Sequence, residues 1–367
     1  MDAVTSAGAA NNSRGISFTG TWREYLPIAV TNALLTICTL GIYRFWAAAR
    51  QRRYLWSRTV FIDDTLEWTG TGKEMFLGFL LVMCVLAPFF LFFQFVFPAL
   101  VAHAQVTAAF AIFALFYLSL IYLGGFARFR ALRYRLSRTY WHGIRGGSDD
   151  GGWSYGAQYL GQIFLTGLTM GIAWPWFAVE LWNARWNKMS FGPLQFESEL
   201  EAKGLGWRWA AVYLVPIAVS IAAMILAALI GGFLTLQHDA GGGTAPPSLS
   251  ALFFLVFAAV YLAIPLMTLN WYAKYFRMAA EATRIGRLEF GFDATTLQWL
   301  GLFLGNVALA VVTLGFGLTY WGYRNWAFMV RHLHIYGEID VSDLTQSTTH
   351  APREAEGFAD AFDIGAI

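Results

Sequence analysis

Charge is what this chain has least of. Asp, Glu, Lys and Arg make up 13% of its 367 residues against 57% apolar residues, and the mean hydropathy is +0.50. A soluble domain carries about 25% charged residues, so this shortage excludes an ordinary soluble domain and points to an integral membrane protein. Cysteine is nearly absent as well. Cys38 and Cys84 both stand in apolar runs, which argues against a disulfide framework or thiolate metal site and for buried, inert thiols. The formal net charge of +2 is too small to imply nucleic acid or an acidic substrate. The opening "MDAVTSAGAANNSRG" lacks the charged n-region and apolar h-region of a signal peptide; residues 1–15 read as a disordered leader. Residues 341–367 read as a polar, disordered tail.

Four long runs carry no charge: 75–101, 104–127, 209–236 and 249–273. About 20 apolar residues cross a bilayer's hydrocarbon core, so each is long enough to span. Pro88, Pro98, Pro216 and Pro265 are expected to kink them. They group as two transmembrane pairs, 74–127 and 207–273.

The remaining sequence repeats itself. "TLGIYRFW" (39–46) recurs as "TMGIAWPW" (169–176) and as "TLGFGLTYW" (313–321). Register holds around the motif: Tyr25, Tyr155 and Trp299 stand before it, then Asn32, Gln162 and Asn306, and each unit closes in a strand-like tail. The units are 16–73, 128–206 (opening with a basic linker) and 274–340. Each reads as helix, Gly-containing turn, helix and short extended segment. Two spans between neighbouring units return the chain to its starting side, so three equivalent units share one side of the membrane and none makes a net crossing.

Charge agrees with this arrangement. The two far-side loops, about 102–104 and 237–248, hold none of the 25 Lys and Arg, and by the positive-inside tendency the near side is the cytoplasm, with both termini. All 16 Trp lie in the units or near the cytoplasmic ends of spans, as an aromatic belt at one headgroup layer would. The expectation is an all-α integral membrane protein with four transmembrane helices plus three repeated interfacial or re-entrant helical hairpins on the cytoplasmic side.

The stretch "TLGIYRFWAAARQRRYLWSRTVFIDDTLEWTGTGKEMFLGFL" (39–80) resembles the signature of the YjgN-like family of bacterial inner-membrane proteins, whose core is a domain of unknown function. Weaker versions recur in the second and third units, so the resemblance covers about 18–340. It implies an inner-membrane location and no activity.

Candidate chemistry is sparse. "GTGKE" (70–74) shares the end of a phosphate-binding loop but lacks its first Gly and its Mg²⁺-binding hydroxyl; a strand-to-span turn is the plainer reading. His332 and His334 share a strand face without a Cys or third His nearby, and read as interfacial histidines rather than metal ligands. "GGSDDGGW" (146–153) reads as a flexible linker. No catalytic set is visible, and no metal or cofactor is expected. The four spans contain no ionisable residue, which argues against a proton-coupled transporter.

Two functions remain. One is a non-enzymatic protein whose cytoplasmic face binds anionic membrane lipids or a membrane or cytoplasmic protein partner. It would use Arg44, Arg50, Arg52, Arg53 and Arg58 with Trp46 and Trp56, together with Arg128, Arg130, Arg133 and Arg135. The alternative is a channel or permease for a neutral or amphiphilic solute. Asn32, Gln162 and Asn306, in equivalent places, either join helices by hydrogen bonds or line a shared polar site.

Overall fold

A computed structural model describes residues 15–238, 248–337, 339 and 345–349. The leader, most of the tail and the loop expected at 237–248 therefore lie outside the described residues, apart from the few named.

Helix pairs alternate with short β-hairpins along the chain. β1 (Ile16–Phe18) leads into α1 (Trp22–Cys38) and α2 (Arg44–Ser57), followed by β2 (Thr59–Phe61), β3 (Asp64–Thr65) and β4 (Glu67–Trp68). Next come α3 (Gly72–Leu91), a π-helical segment Phe92–Val96, α4 (Phe97–Ala102) and α5 (Val106–Ser137), then β5 (Thr139–Trp141) and β6 (Ile144–Gly147). A second short pair, α6 (Trp153–Leu168) and α7 (Trp174–Trp186), precedes β7 (Ser190–Phe191) and β8 (Leu194–Ser198). The long pair α8 (Leu205–His238) and α9 (Ser248–Glu281) follows, with β9 (Thr283–Ile285) and β10 (Leu288–Phe292). The last pair is α10 (Thr296–Val312) and α11 (Leu318–His332), ending in β11 (Leu333–Tyr336).

The sheet corrects the all-α expectation. β4 to β11 form one eight-stranded antiparallel meander in chain order, and β1–β2–β3 form a smaller sheet. Strands of two to five residues are too short to show a period-2 pattern. Some of their partners are also remote in sequence: Trp68 of β4 pairs with Thr139 of β5 across an intervening helix pair. The number of spans is corrected too. Among the described residues three helical stretches, not four, are long and apolar enough to cross a membrane: Gly72–Ala102, Val106–Ser137 and Leu205–Leu226. The expected run 249–273 forms part of α9, several of whose side chains lie outside the described residues.

Local chemistry sets the helix starts. Thr21, Thr71 and Thr295 each cap a helix by accepting the N–H of the residue three further on, Glu24, Glu74 or Gln298. Thus "GTGKE" is the capped start of α3. The π-helical segment between Pro88 and Pro98 lets the first span bend.

The helix pairs close into a circuit: α2 packs on α3, α5 on α6, α7 on α8, α9 on α10 and α11 on α1. At the closure Tyr25 stacks on Tyr323 at 5.1 Å and donates to the Thr319 carbonyl at 3.0 Å. Enclosed on the sheet side is a core that joins Ile16, Phe129, Leu181, Phe196, Leu288 and Ile335. Residues from all three sequence units thus share one interior.

Candidate functional site

The three "TLG/TMG" turns have one construction. Thr39, Thr169 and Thr313 each donate Oγ1 to the carbonyl four residues back, at 2.7, 3.0 and 2.6 Å. Each also accepts the N–H four residues ahead, at 2.9, 3.2 and 2.6 Å. Leu40, Met170 and Leu314 sit at φ 49°, 50° and 51°, and the glycines after them at 92°, 88° and 92°. The Gly meets a conformation that a Cβ disfavours; the residue before it adopts that conformation despite one.

Asn32, Gln162 and Asn306 are buried, and each bridges the two helices of its own pair. Asn32 donates to the Ala47 carbonyl at 3.3 Å, Gln162 to the Glu180 carboxylate at 2.7 Å and Asn306 to Asn325 Oδ1 at 2.8 Å. They do not converge on one another.

The Arg run divides. Arg44, Arg50, Arg53 and Arg58 are exposed, and Arg58 pairs with Glu24 at 3.2 Å. Arg52 is buried over the Trp68 ring at 5.1 Å. Trp46 is exposed, whereas Trp56 is buried, stacked on Trp326 at 4.1 Å and donating to Thr139 Oγ1 at 2.9 Å. Arg52, Trp56 and Arg135 line a cavity of about 340 Å³ between α2, α5 and α11.

The second Arg cluster occupies the last turns of α5, and much of it is committed to the protein. Arg130 donates to the Gly151 carbonyl at 3.0 Å and Arg133 to that of Asp150 at 2.8 Å. Arg138 forms a two-pronged pair with Glu74, at 3.0 and 3.1 Å. The "GGSDDGGW" segment is accordingly a pinned turn. Lys188 pairs with Asp150 at 2.8 Å; burial pushes the Asp150 carboxyl up, but Lys188, the Gly152 N–H and Arg133 outweigh it and hold the group below its ordinary range. His332 and His334 clamp Asp293 at 2.5 and 3.0 Å, and among the described residues no cluster of metal-ligating side chains exists.

Apart from Arg128, residues that the sequence reading passed over build a second Arg-bearing cavity. Between α5, the α6–α7 pair, the first turns of α8 and the later half of α9 lies a cavity of about 540 Å³. Four tryptophans (Trp174, Trp182, Trp209, Trp271) and four tyrosines (Tyr155, Tyr159, Tyr272, Tyr275) wall it; its charged lining residues are Arg128 and Arg185, with no carboxylate. Trp174, Ala178, Leu181, Trp182 and Arg185 follow helical spacing, so one face of α7 supplies them all. Arg128 donates to Tyr159 Oη and lies over that ring at 4.7 Å. Arg185 is only 7% exposed. Its guanidinium lies 5.5 Å over the Trp182 ring, its Nε is buried without an acceptor, and no carboxylate pairs with it among the described residues. Trp271 Nε1, also lining the cavity, is a second buried donor without an acceptor.

Burying an ion costs several kcal/mol even after the protein relaxes, and a desolvated cation–π contact returns about 2 kcal/mol or somewhat more. The cavity as built is therefore short of negative charge. The sequence signal was an Arg on the aromatic face of α7, weaker to the eye than a run of four.

Comparison with known proteins places the chain. The family model described as "Bacterial protein of unknown function (DUF898)" matches residues 13–361. The chain belongs to the DUF898 family. Relatives of this DUF898 protein include the "Inner membrane protein YjgN" of Salmonella typhimurium, 24% identical with 91% of either chain covered. The protein of the same description in Escherichia coli K12 is 31% identical over 133 residues, 36% of this chain and 30% of that one. No solved structure matches. The resemblance carried by residues 39–80 thus extends to nearly the whole DUF898 chain, and its relatives are inner-membrane proteins.

Proposed function

We propose that this protein is a non-enzymatic, multi-pass inner-membrane protein that holds an anionic amphiphile, its acidic headgroup against Arg185 and Arg128 and its apolar part among the aromatic walls. The observation that carries this reading is Arg185: a buried guanidinium facing a cavity with no acid in its lining. A guanidinium offers a rigid fork of donors that matches carboxylate and phosphate, and Trp271 Nε1 adds a donor. The cavity lies where α5 and α9 change from charge-free sequence to basic residues, Arg128 and Lys274. With the basic side cytoplasmic, that is the inner-leaflet boundary, where acidic headgroups are found. The three helix pairs with "TLG/TMG" turns are read as internal repeats, of which the second carries the site, and both termini are cytoplasmic.

Native mass spectrometry of the purified protein, exchanged into mixed micelles of phosphatidylglycerol and phosphatidylcholine, tests the reading. Wild type should retain phosphatidylglycerol preferentially, and Arg185→Gln should lose that preference by about tenfold, as the loss of one charge-assisted contact of about 1.5 kcal/mol implies. Equal retention of the two lipids, unchanged by Arg185→Gln, would remove the lipid reading.

A further inference from the structure

We infer that the three helix-pair turns form an inserting surface whose occupant is the inner leaflet's acyl layer just beneath the headgroups, not the bilayer midplane and not water. The turns place apolar side chains outward at a conformational cost. Leu40, Met170 and Leu314 are 95%, 85% and 90% exposed, and all three occupy the left-handed backbone region that residues with a Cβ avoid. Ile42, Ile172 and Phe316, two residues on, are more than half exposed. Strain held at the same place in three turns, each time to display an apolar side chain, calls for an apolar neighbour that the chain itself does not supply.

Contacts to the long helices say what that neighbour is. Trp209 Nε1 donates to the Gly171 carbonyl at 2.8 Å and Tyr213 Oη to that of Met170 at 3.0 Å. The second turn therefore lies within about 12 Å of the inner end of α8, at 1.5 Å per residue. From Tyr213 to His238 roughly 37 Å of helix remains at that rise, more than the hydrocarbon thickness of about 30 Å. The first turn is placed alike. Gly72, the first residue of α3, lies so close to Trp46, near the start of α2, that a Cβ would come within 2.7 Å of the Trp46 Cα. Phe45, next to Trp46, packs on Phe76 and Phe79 at 5.6 and 5.2 Å, so the first turn meets α3 within its first two turns and the helical stretch as far as Ala102 extends beyond that level. These two tips meet the spans near their inner ends, and the third turn has the same construction; acyl chains near the headgroups then cover them, and the midplane lies far beyond. Each pair is a shallow wedge in one leaflet.

Spin labels test the depth. In a background with Cys38→Ala and Cys84→Ala, single labels at Leu40→Cys, Met170→Cys and Leu314→Cys in phosphatidylglycerol–phosphatidylethanolamine liposomes are compared by power saturation with oxygen and a nickel chelate. Reference labels at Val85→Cys, within α3, and Gln346→Cys, on the sheet side, mark the span and the aqueous phase. The expected result is oxygen accessibility with nickel exclusion at all three tips, at one shared depth shallower than Val85. Nickel accessibility like that of Gln346, or a depth matching Val85, would overturn the inference. The tips carry no part of the Arg185 cavity lining, so this outcome and that of the lipid-retention experiment fail separately.

Discussion

The α1–α2 and α6–α7 pairs share a turn, a helix-bridging amide, a place against the long helices and one arginine buried over a Trp ring, yet they differ in the rest of their charge. In α1–α2 the positive charges are many; several are exposed, one is paired with Glu24, and the buried Arg52 lies over Trp68. In α6–α7 a single Arg185 is buried in a cavity with no acid in its lining. Density of charge along a sequence reports what a surface shows to water and lipid. Burial without a carboxylate partner, as at Arg185, is the observation on which the proposed lipid site rests.

The comparison breaks first if hairpin one is not the packed scaffold described. Trp56→Ala removes a ring stacked on Trp326 and its hydrogen bond to Thr139, and should cost about 3–5 kcal/mol, read as a large fall in the melting temperature in detergent. Arg50→Gln, at an exposed position on the same helix, should stay within about 0.5 kcal/mol of wild type. A comparable loss from both would make the exposed run structural after all.

Arg185→Met sharpens the contrast in the other direction. Replacing a buried unpaired cation with an apolar side chain of similar length should stabilise the delipidated protein, by an amount on the order of 1–4 kcal/mol. Added phosphatidylglycerol should then stabilise wild type more than the variant in the same melting assay. Destabilisation of the lipid-free protein would mean that Arg185 already has its counter-charge.

A smaller effect tests how the cavity is framed. Gly125 lets α6 approach α5: a Cβ there would come within 2.5 Å of Tyr159 Cβ. Gly125→Ala should cost about 1–3 kcal/mol of stability and shift Tyr159, a cavity wall, so phosphatidylglycerol retention should fall with it. Retention unchanged beside a stability loss would detach the wall from the site.

Acid should give the mildest change. The Asp150 carboxyl, held below its ordinary range in the folded protein, contributes stability present above its unfolded value of about 3.9 and lost as pH falls through the folded value. Asp150→Asn should therefore lower stability at neutral pH and narrow its gap to wild type below about pH 4, followed as the melting temperature against pH.

Much of the membrane architecture was legible because its signals are long. Three of the four charge-free runs fall in the helical stretches long and apolar enough to cross a membrane, and the "TLG/TMG" motif marks turns whose Thr and Gly have visible duties. The sheet was not legible. Its strands are two to five residues long, and the pairing of Trp68 with Thr139 depends on where an intervening helix pair returns the chain. The site divided the same way. Arg128 stood in a conspicuous cluster; Arg185 was one charge on an aromatic helix face, informative only once α5, α8 and α9 close around it. Trp56 taught the reverse: its place beside four arginines suggested a headgroup anchor, but contacts from Trp326 and Thr139 put it in the interior.

The most direct measurement is an experimental structure of the protein in phosphatidylglycerol-containing nanodiscs. The account predicts density for an acidic headgroup within hydrogen-bonding distance of the Arg185 guanidinium and Trp271 Nε1, continuing as an apolar chain between the tryptophans. A cavity empty of such density, or a protein carboxylate turned in to meet Arg185, would contradict it.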